Sequence, residues 1–174
     1  MSGVVDLGIA RLEKKVKKAY RNWAAQFGDK FSVSTGFGDI PDNILAVLAV
    51  GTGNSSFYFY DLIMNLENLG SGFGFNELDS DKKLVVLDKH LFLLDRSRYE
   101  YMKRLGWIIS YPGEEYAIVE LIINFDSLAP DIQAKPPLLS GDHPAYEEYS
   151  RSNLFEKEQV IRKLIPEALR LIDR

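Results

Sequence analysis

Residues Ile44–Ser56 read ILAVLAVGTGNSS, and the reading of this stretch decides the fold. Seven apolar residues run into a loop with glycines at 51 and 53, and FYFYDLIMNL (57–66) follows. If the apolar run is a strand, this is a strand, glycine loop and helix of the kind that cradles phosphates, and the chain is α/β. If it is a helix, the loop is a turn and the chain is mostly helical. So short a run has no periodicity to separate the two. Its flanks favour the helix: Pro41 suits the first helical position, Asp39 a cap, and Gly51 a left-handed terminator. We therefore expect one helix over about 41–50 and a second, capped by Asn54 or Ser55, running to about Leu69.

The loop lacks two parts that nucleotide chemistry needs. Asn54 stands where a Walker-type loop has its lysine, and Ser56 stands where a dinucleotide fingerprint has its third glycine. VLAVGTGN (47–54) is similar to the glycine loop of the methyltransferases that bind S-adenosylmethionine, and over these eight residues the resemblance implies a nucleoside-binding turn. The second strand with its ribose-binding acid does not follow, since the next ~20 residues read as helix and then as another glycine loop. The expectation is a structural turn. Gly51, Gly53, Asn54 and Ser55 stay as candidate ligand-binding residues for an enzyme, the runner-up reading.

A chain of 174 residues, 46% apolar and 26% charged, is expected to form a single globular domain over 1–174. Its net charge of −4 argues against attraction of the whole chain to nucleic acid or anionic lipid. It contains no cysteine, which excludes disulfides, thiolate metal sites and a cysteine nucleophile. MSGVVDLGIARLEKK does not read as a secretory signal, and an apolar run of seven residues falls short of the ~20 that span a bilayer. A soluble cytoplasmic protein is expected, with no cofactor, no metal, no membrane and no nucleic-acid partner.

Outward from the deciding stretch, Val5, Ile9, Leu12, Val16, Ala19, Trp23 and Phe27 form one helical stripe, with Gly28 to end it. Leu84, Leu87, Leu91, Leu94, Tyr101 and Leu105 share a phase, and Val85, Val86, Phe92 and Leu93 widen it, so the first half of that helix reads as core. Its second half reads as charged surface, with Arg96, Glu100 and Arg104 at pairing distance. WIISYPGEEYAIVELIINFD (107–126) reads as a β-hairpin about Pro112-Gly113. A strand from 31–35 is a candidate to extend it. Residues 126–146, with four prolines, read as a loop or arm, and Pro166 predicts a kink or two helices meeting near Ile165. The fold class is α+β: a mostly helical single domain of five or six helices with a β-hairpin or small antiparallel sheet. The loops TGFGD (35–39) and SGFGF (71–75) have no role that the sequence assigns.

Three groups of residues carry possible chemistry. Arg11, Lys14, Lys15, Lys17, Lys18 and Arg21 against Glu13 make a +5 patch on the first helix. It reads as a solvated face, because no aromatics are interleaved for base stacking; a grip on the phosphates of nucleic acid or on anionic lipid, and a surface for an acidic partner or another copy, are the alternatives. On the hairpin reading, Glu120 faces apolar neighbours and is the candidate catalytic carboxylate. His90 lies in the apolar helix without an acidic partner, and His143 lies near Asp142, Glu147 and Glu148, as in half a metal site. Apolar residues around the C-terminal helix, Leu171 among them, predict self-association. The resulting expectation is a non-catalytic interaction protein with a protein partner or a second copy. Its alternatives are the small-ligand enzyme and nucleic-acid binding through the first helix.

Overall fold

The computed structural model describes the backbone of residues 2–172 and the side chains of residues 8–172; Val5 of the predicted stripe lies outside those side chains. The chain forms a mostly helical single domain with a two-stranded antiparallel sheet. Its helices, among the described residues, are α1 (Ser2–Ala19), α2 (Arg21–Phe27), α3 (Asp42–Val50), α4 (Ser55–Leu66), α5 (Ser80–Arg104), α6 (Ile118–Ile123), α7 (Phe125–Gln133), α8 (Tyr146–Arg151) and α9 (Leu154–Arg170). The strands are β1 (Ile108–Ser110) and β2 (Leu138–Leu139).

Ile44–Val50 is helix. α3 ends at Gly51, whose φ of 70° is left-handed, and α4 starts four residues later. The predicted first helix breaks at Tyr20 into α1 and α2, and Gly28 closes it at φ 69°. Trp23 is fully buried where α2 meets α4; its indole N–H donates to the Tyr58 carbonyl at 2.8 Å, and Tyr20, Phe27, Phe31 and Phe59 surround its ring.

The hairpin is overturned in its second half. Pro112-Gly113 does turn the chain, with Gly113 at φ 90° and the Glu114 N–H donating to the Tyr111 carbonyl at 3.3 Å. The chain does not return as a strand, however, and IVELII becomes α6. Ile118, Val119, Leu121 and Ile122 are buried while Glu120 and Ile123 are exposed, a helical pattern that a short apolar run conceals. β1 pairs instead with β2, Ile108 opposite Leu139 and Ser110 opposite Leu138. Residues 31–35 supply no strand; their tie to this region is the Thr35 carbonyl, which accepts from the Ile118 N–H at 2.9 Å.

Residues 126–146 are not one arm, since they hold most of α7 and all of β2. α9 likewise continues through Pro166 as one helix and does not divide near Ile165. Pro130 and Pro166 are both exposed, so water can take the carbonyl each leaves unbonded.

α5 keeps part of its expected core, Val86, Phe92, Leu93 and Leu94, and inverts the rest. Leu84, Val85 and Leu91 are exposed, whereas Arg96, Ser97, Tyr99, Glu100 and Met102 are buried. Burial of the charged half is possible because each charge finds a partner. Arg98 caps α3 by donating to the Ala49 and Val50 carbonyls at 2.8 and 3.0 Å. Arg96 donates to the Pro112 carbonyl at 2.7 Å and lies against the rings of Phe92 and Tyr99. The expected Arg96–Glu100 pair does not form; Glu100 pairs with Arg104 at 3.0 Å.

α5 also separates two apolar clusters. The larger gathers α1 to α4, α6 and α7. The smaller holds Tyr99, Met102, Ile108, Tyr111, Leu139 and Tyr149 against Val160, Ile161, Leu164, Ile165 and Ala168 of α9. One face of the C-terminal helix is thus covered by its own chain, whereas Leu154, Phe155 and Leu171 are exposed at 61%, 72% and 37%.

Candidate functional site

The loop 51–56 is packed for structure. A Cβ at Gly51 would lie 2.5 Å from a Leu94 methyl, and Gly53 also has a left-handed φ, 59°. The Ser55 and Ser56 hydroxyls donate to the carbonyls of Thr52 and Gly53 at 2.7 and 2.9 Å. Asn54 occupies the cap position of α4 without a side-chain cap bond. With a helix before it, the loop is no βα phosphate turn. Calorimetric titration with ATP, NAD and S-adenosylmethionine is expected to show no heat of binding; micromolar affinity lost in Gly53→Val would refute this.

Glu120 does not sit in an apolar sheet face. It is exposed on α6, and its Oε1 accepts from the Ala117 N–H at 3.3 Å, helping to start that helix. Five surface clefts of 230 to 670 Å³ are lined by residues other than Glu120 and 51–56. The two halves of the runner-up enzyme site are not brought together in any of them.

The buried polar groups hold the scaffold. Asp61, fully buried, accepts from the Gly72 N–H at 2.8 Å, Asn22 at 3.0 Å and Asn65 at 3.2 Å. Glu100 accepts from the Tyr111 hydroxyl at 2.8 Å, and Arg104 reaches on to Asp42 and to the Phe37 carbonyl. Lys89 pairs with Glu67 and donates to the Ile122 carbonyl at 3.0 Å. These contacts explain both glycine-aromatic loops: Gly72 lets the second loop lie on the α4 backbone beside Asp61, and the first is clasped by Arg104. Sequence reading missed both, since the partners lie 11 and 67 residues apart.

Neither histidine joins a metal-binding group: among the described residues, no three His, Cys, Asp or Glu side chains cluster to hold an ion. The Nδ1 of His143 accepts from the Ala145 N–H at 3.0 Å, and its ring lies 5.3 Å from that of Trp107. His90 is buried beside Tyr60 and Phe59, with neither ring nitrogen bonded. Burial, and then the charge of Arg98, lower its pKa from 6.5 to about 4. The unfolded chain therefore binds the extra proton first, and stability is expected to fall as pH drops from about 6.5 towards 4. Melting curves across that window should show a shallower decline in His90→Leu than in the wild type. Equal slopes would show that His90 does not titrate this way.

The basic patch is a predicted group that the fold leaves facing outward as a cluster. Arg11, Lys14, Lys17, Lys18 and Arg21 are exposed and Lys15 is half-buried. None of the six takes part in an ion pair among the described residues. Val16 and Ala19 anchor the last turns of α1 in the core, but Gly8, Ile9, Ala10, Arg11, Leu12, Glu13 and Lys14 are all exposed. The turns at 8–14 stand beyond the edge of the core.

Fold and site together define a mostly helical domain with an outstanding basic helix and, among the described residues, no helix long and apolar enough to cross a membrane. Comparison with protein families, curated proteins and solved structures finds no match.

Proposed function

We propose that this chain is a non-catalytic interaction protein that docks on an anionic partner through α1. The observation that carries the reading is the contrast in how charges are used. Asp61, Lys89, Arg96 and Glu100 are bonded within the scaffold, whereas the six cations of the α1 patch have no ion-pair partner among the described residues. A face kept only for solubility accounts for the charge, but not for the apolar Ile9 and Leu12 left exposed beside it. The cytoplasmic location expected from the sequence belongs to the same proposal. Self-association through α9 is not carried forward: Val160, Ile161, Leu164, Ile165 and Ala168 pack within the chain, and the apolar residues left exposed on or beside this helix, Leu154, Phe155 and Leu171, lie away from the basic patch that carries the reading.

Immobilised heparin, a polyanion probe, tests the docking reading. The wild type should be retained and eluted by salt, and Lys14→Glu with Lys18→Glu should pass through. Both side chains are exposed, so the melting temperature of the double variant should stay close to that of the wild type. Wild-type chain that is not retained refutes the reading.

A further inference from the structure

Resting on that docking reading, we infer that the anionic partner is a lipid bilayer surface, entered by the outstanding turns of α1. The argument starts from the apolar stripe. Ile9, Leu12, Val16 and Ala19 follow one another at spacings of three, four and three and so share a face of the helix. The core takes the last two, at 1% exposure each, and leaves Ile9 at 50% and Leu12 at 36%. The sequence of the preceding turns, Ser2–Gly8, adds a single charge, Asp6. An apolar segment is therefore followed along one helix by a basic band.

The band is broad. Positions 11, 14, 15, 17 and 18 spread over roughly half of the helix circumference opposite the apolar stripe. A nucleic-acid backbone would engage the cations, but it gains nothing from Ile9 and Leu12, and the basic face offers no aromatic ring for stacking. A second copy brings the same +5 segment, and like charges oppose pairing of the two helices. An anionic lipid interface uses both features, acyl chains taking Ile9 and Leu12 while headgroups surround the lysines. Residues 8–14 are exposed all round the helix, while Val16 and Ala19 tie the following turns to the core, so these turns can be immersed obliquely without moving the domain.

Charge also explains why the balance of the whole chain argued against an anionic surface. The whole chain carries −4 and residues 11–21 carry +5, so −9 lies on the remainder. The average hides the patch. The same imbalance orients the molecule, its acidic body turned away from an anionic surface.

Vesicle flotation with the full chain tests the inference. The wild type should float with vesicles of phosphatidylcholine containing phosphatidylserine, stay behind with phosphatidylcholine alone, and be released by high salt. Lys14→Glu with Lys18→Glu, and separately Ile9→Asp with Leu12→Asp, should each lower partitioning by at least about tenfold. Circular dichroism should show both variants folded. Retention on heparin without flotation on either vesicle overturns the lipid inference and leaves the docking reading standing. Flotation that Ile9→Asp with Leu12→Asp leaves intact also overturns it, because charge alone would then account for binding. A dimer in sedimentation that this apolar variant dissociates, without flotation, names a second copy as the occupant and overturns it as well. So does tight binding of a DNA duplex without flotation.

Discussion

Asp61→Ala should lower the free energy of unfolding by about 3 kcal/mol. The carboxylate is fully buried and holds three parts of the chain at once: Asn22 of α2, Asn65 of α4, and the backbone N–H of Gly72. Alanine removes the acceptor but leaves the Gly72 N–H enclosed, and a buried donor without a partner costs ~1–3 kcal/mol by itself. Loss of the Asn22 bond loosens the seam between α2 and α4. Gly72→Ala reaches the same seam from the other side, since its Cβ would lie 2.8 Å from the Asp61 Cα. Backbone atoms at that distance cannot yield as a flexible side chain would, so α4 and the loop must part. Urea denaturation should show a lower midpoint at unchanged slope for each variant. The double variant should lose less than the sum, because both changes break one contact. Additive losses, or a loss below about 0.5 kcal/mol for Asp61→Ala, would show that this seam is not where the domain is held.

Glu100→Ala should cost about as much, ~3 kcal/mol, by a different route. Glu100 sits between the two apolar clusters, accepting from the Tyr111 hydroxyl and from the Nε of Arg104. Its removal strands a buried hydroxyl and takes the buried counter-charge from Arg104. Arg104 still has Asp42, but that carboxylate is exposed and contributes little. Tyr111→Phe removes a single bond and should cost about 1 kcal/mol. The comparison locates the effect. If Glu100→Ala costs no more than Tyr111→Phe, the Arg104 arm carries no weight, and the clasp on the 36–39 loop is held by Asp42 and the backbone alone.

The loop at 51–56 and the first helical stripe show what local chemistry was enough to decide. Gly51 and Gly28 end helices because only glycine enters the left-handed region at no steric cost, and that property travels with the residue wherever it is placed. The stripe from Ile9 to Phe27 specified helix in the same way, from spacing alone. The basic patch was equally legible, being a matter of composition at consecutive turns.

Which face of a helix is buried was a different matter. Leu91 and Glu100 both lie on α5, and by transfer energy the leucine belongs inside and the glutamate outside. The reverse holds because Tyr111 and Arg104 supply the bonds that make burial of a carboxylate affordable, and nothing covers Leu91. The strand that pairs with Ile108–Ser110 comes from Leu138–Leu139, beyond two helices, and not from the adjacent IVELII. Five apolar residues with one glutamate satisfy a strand and a helix equally well, so packing against α4, α5 and α7 chooses. The sequence by itself determined that 44–50 is helix, the glycine ends at Gly28 and Gly51, and the charge of α1. Only the tertiary structure decided where the core stops along α1, because burial depends on which distant residues arrive to cover a surface, and that leaves Ile9, Leu12 and the lysines facing outward together.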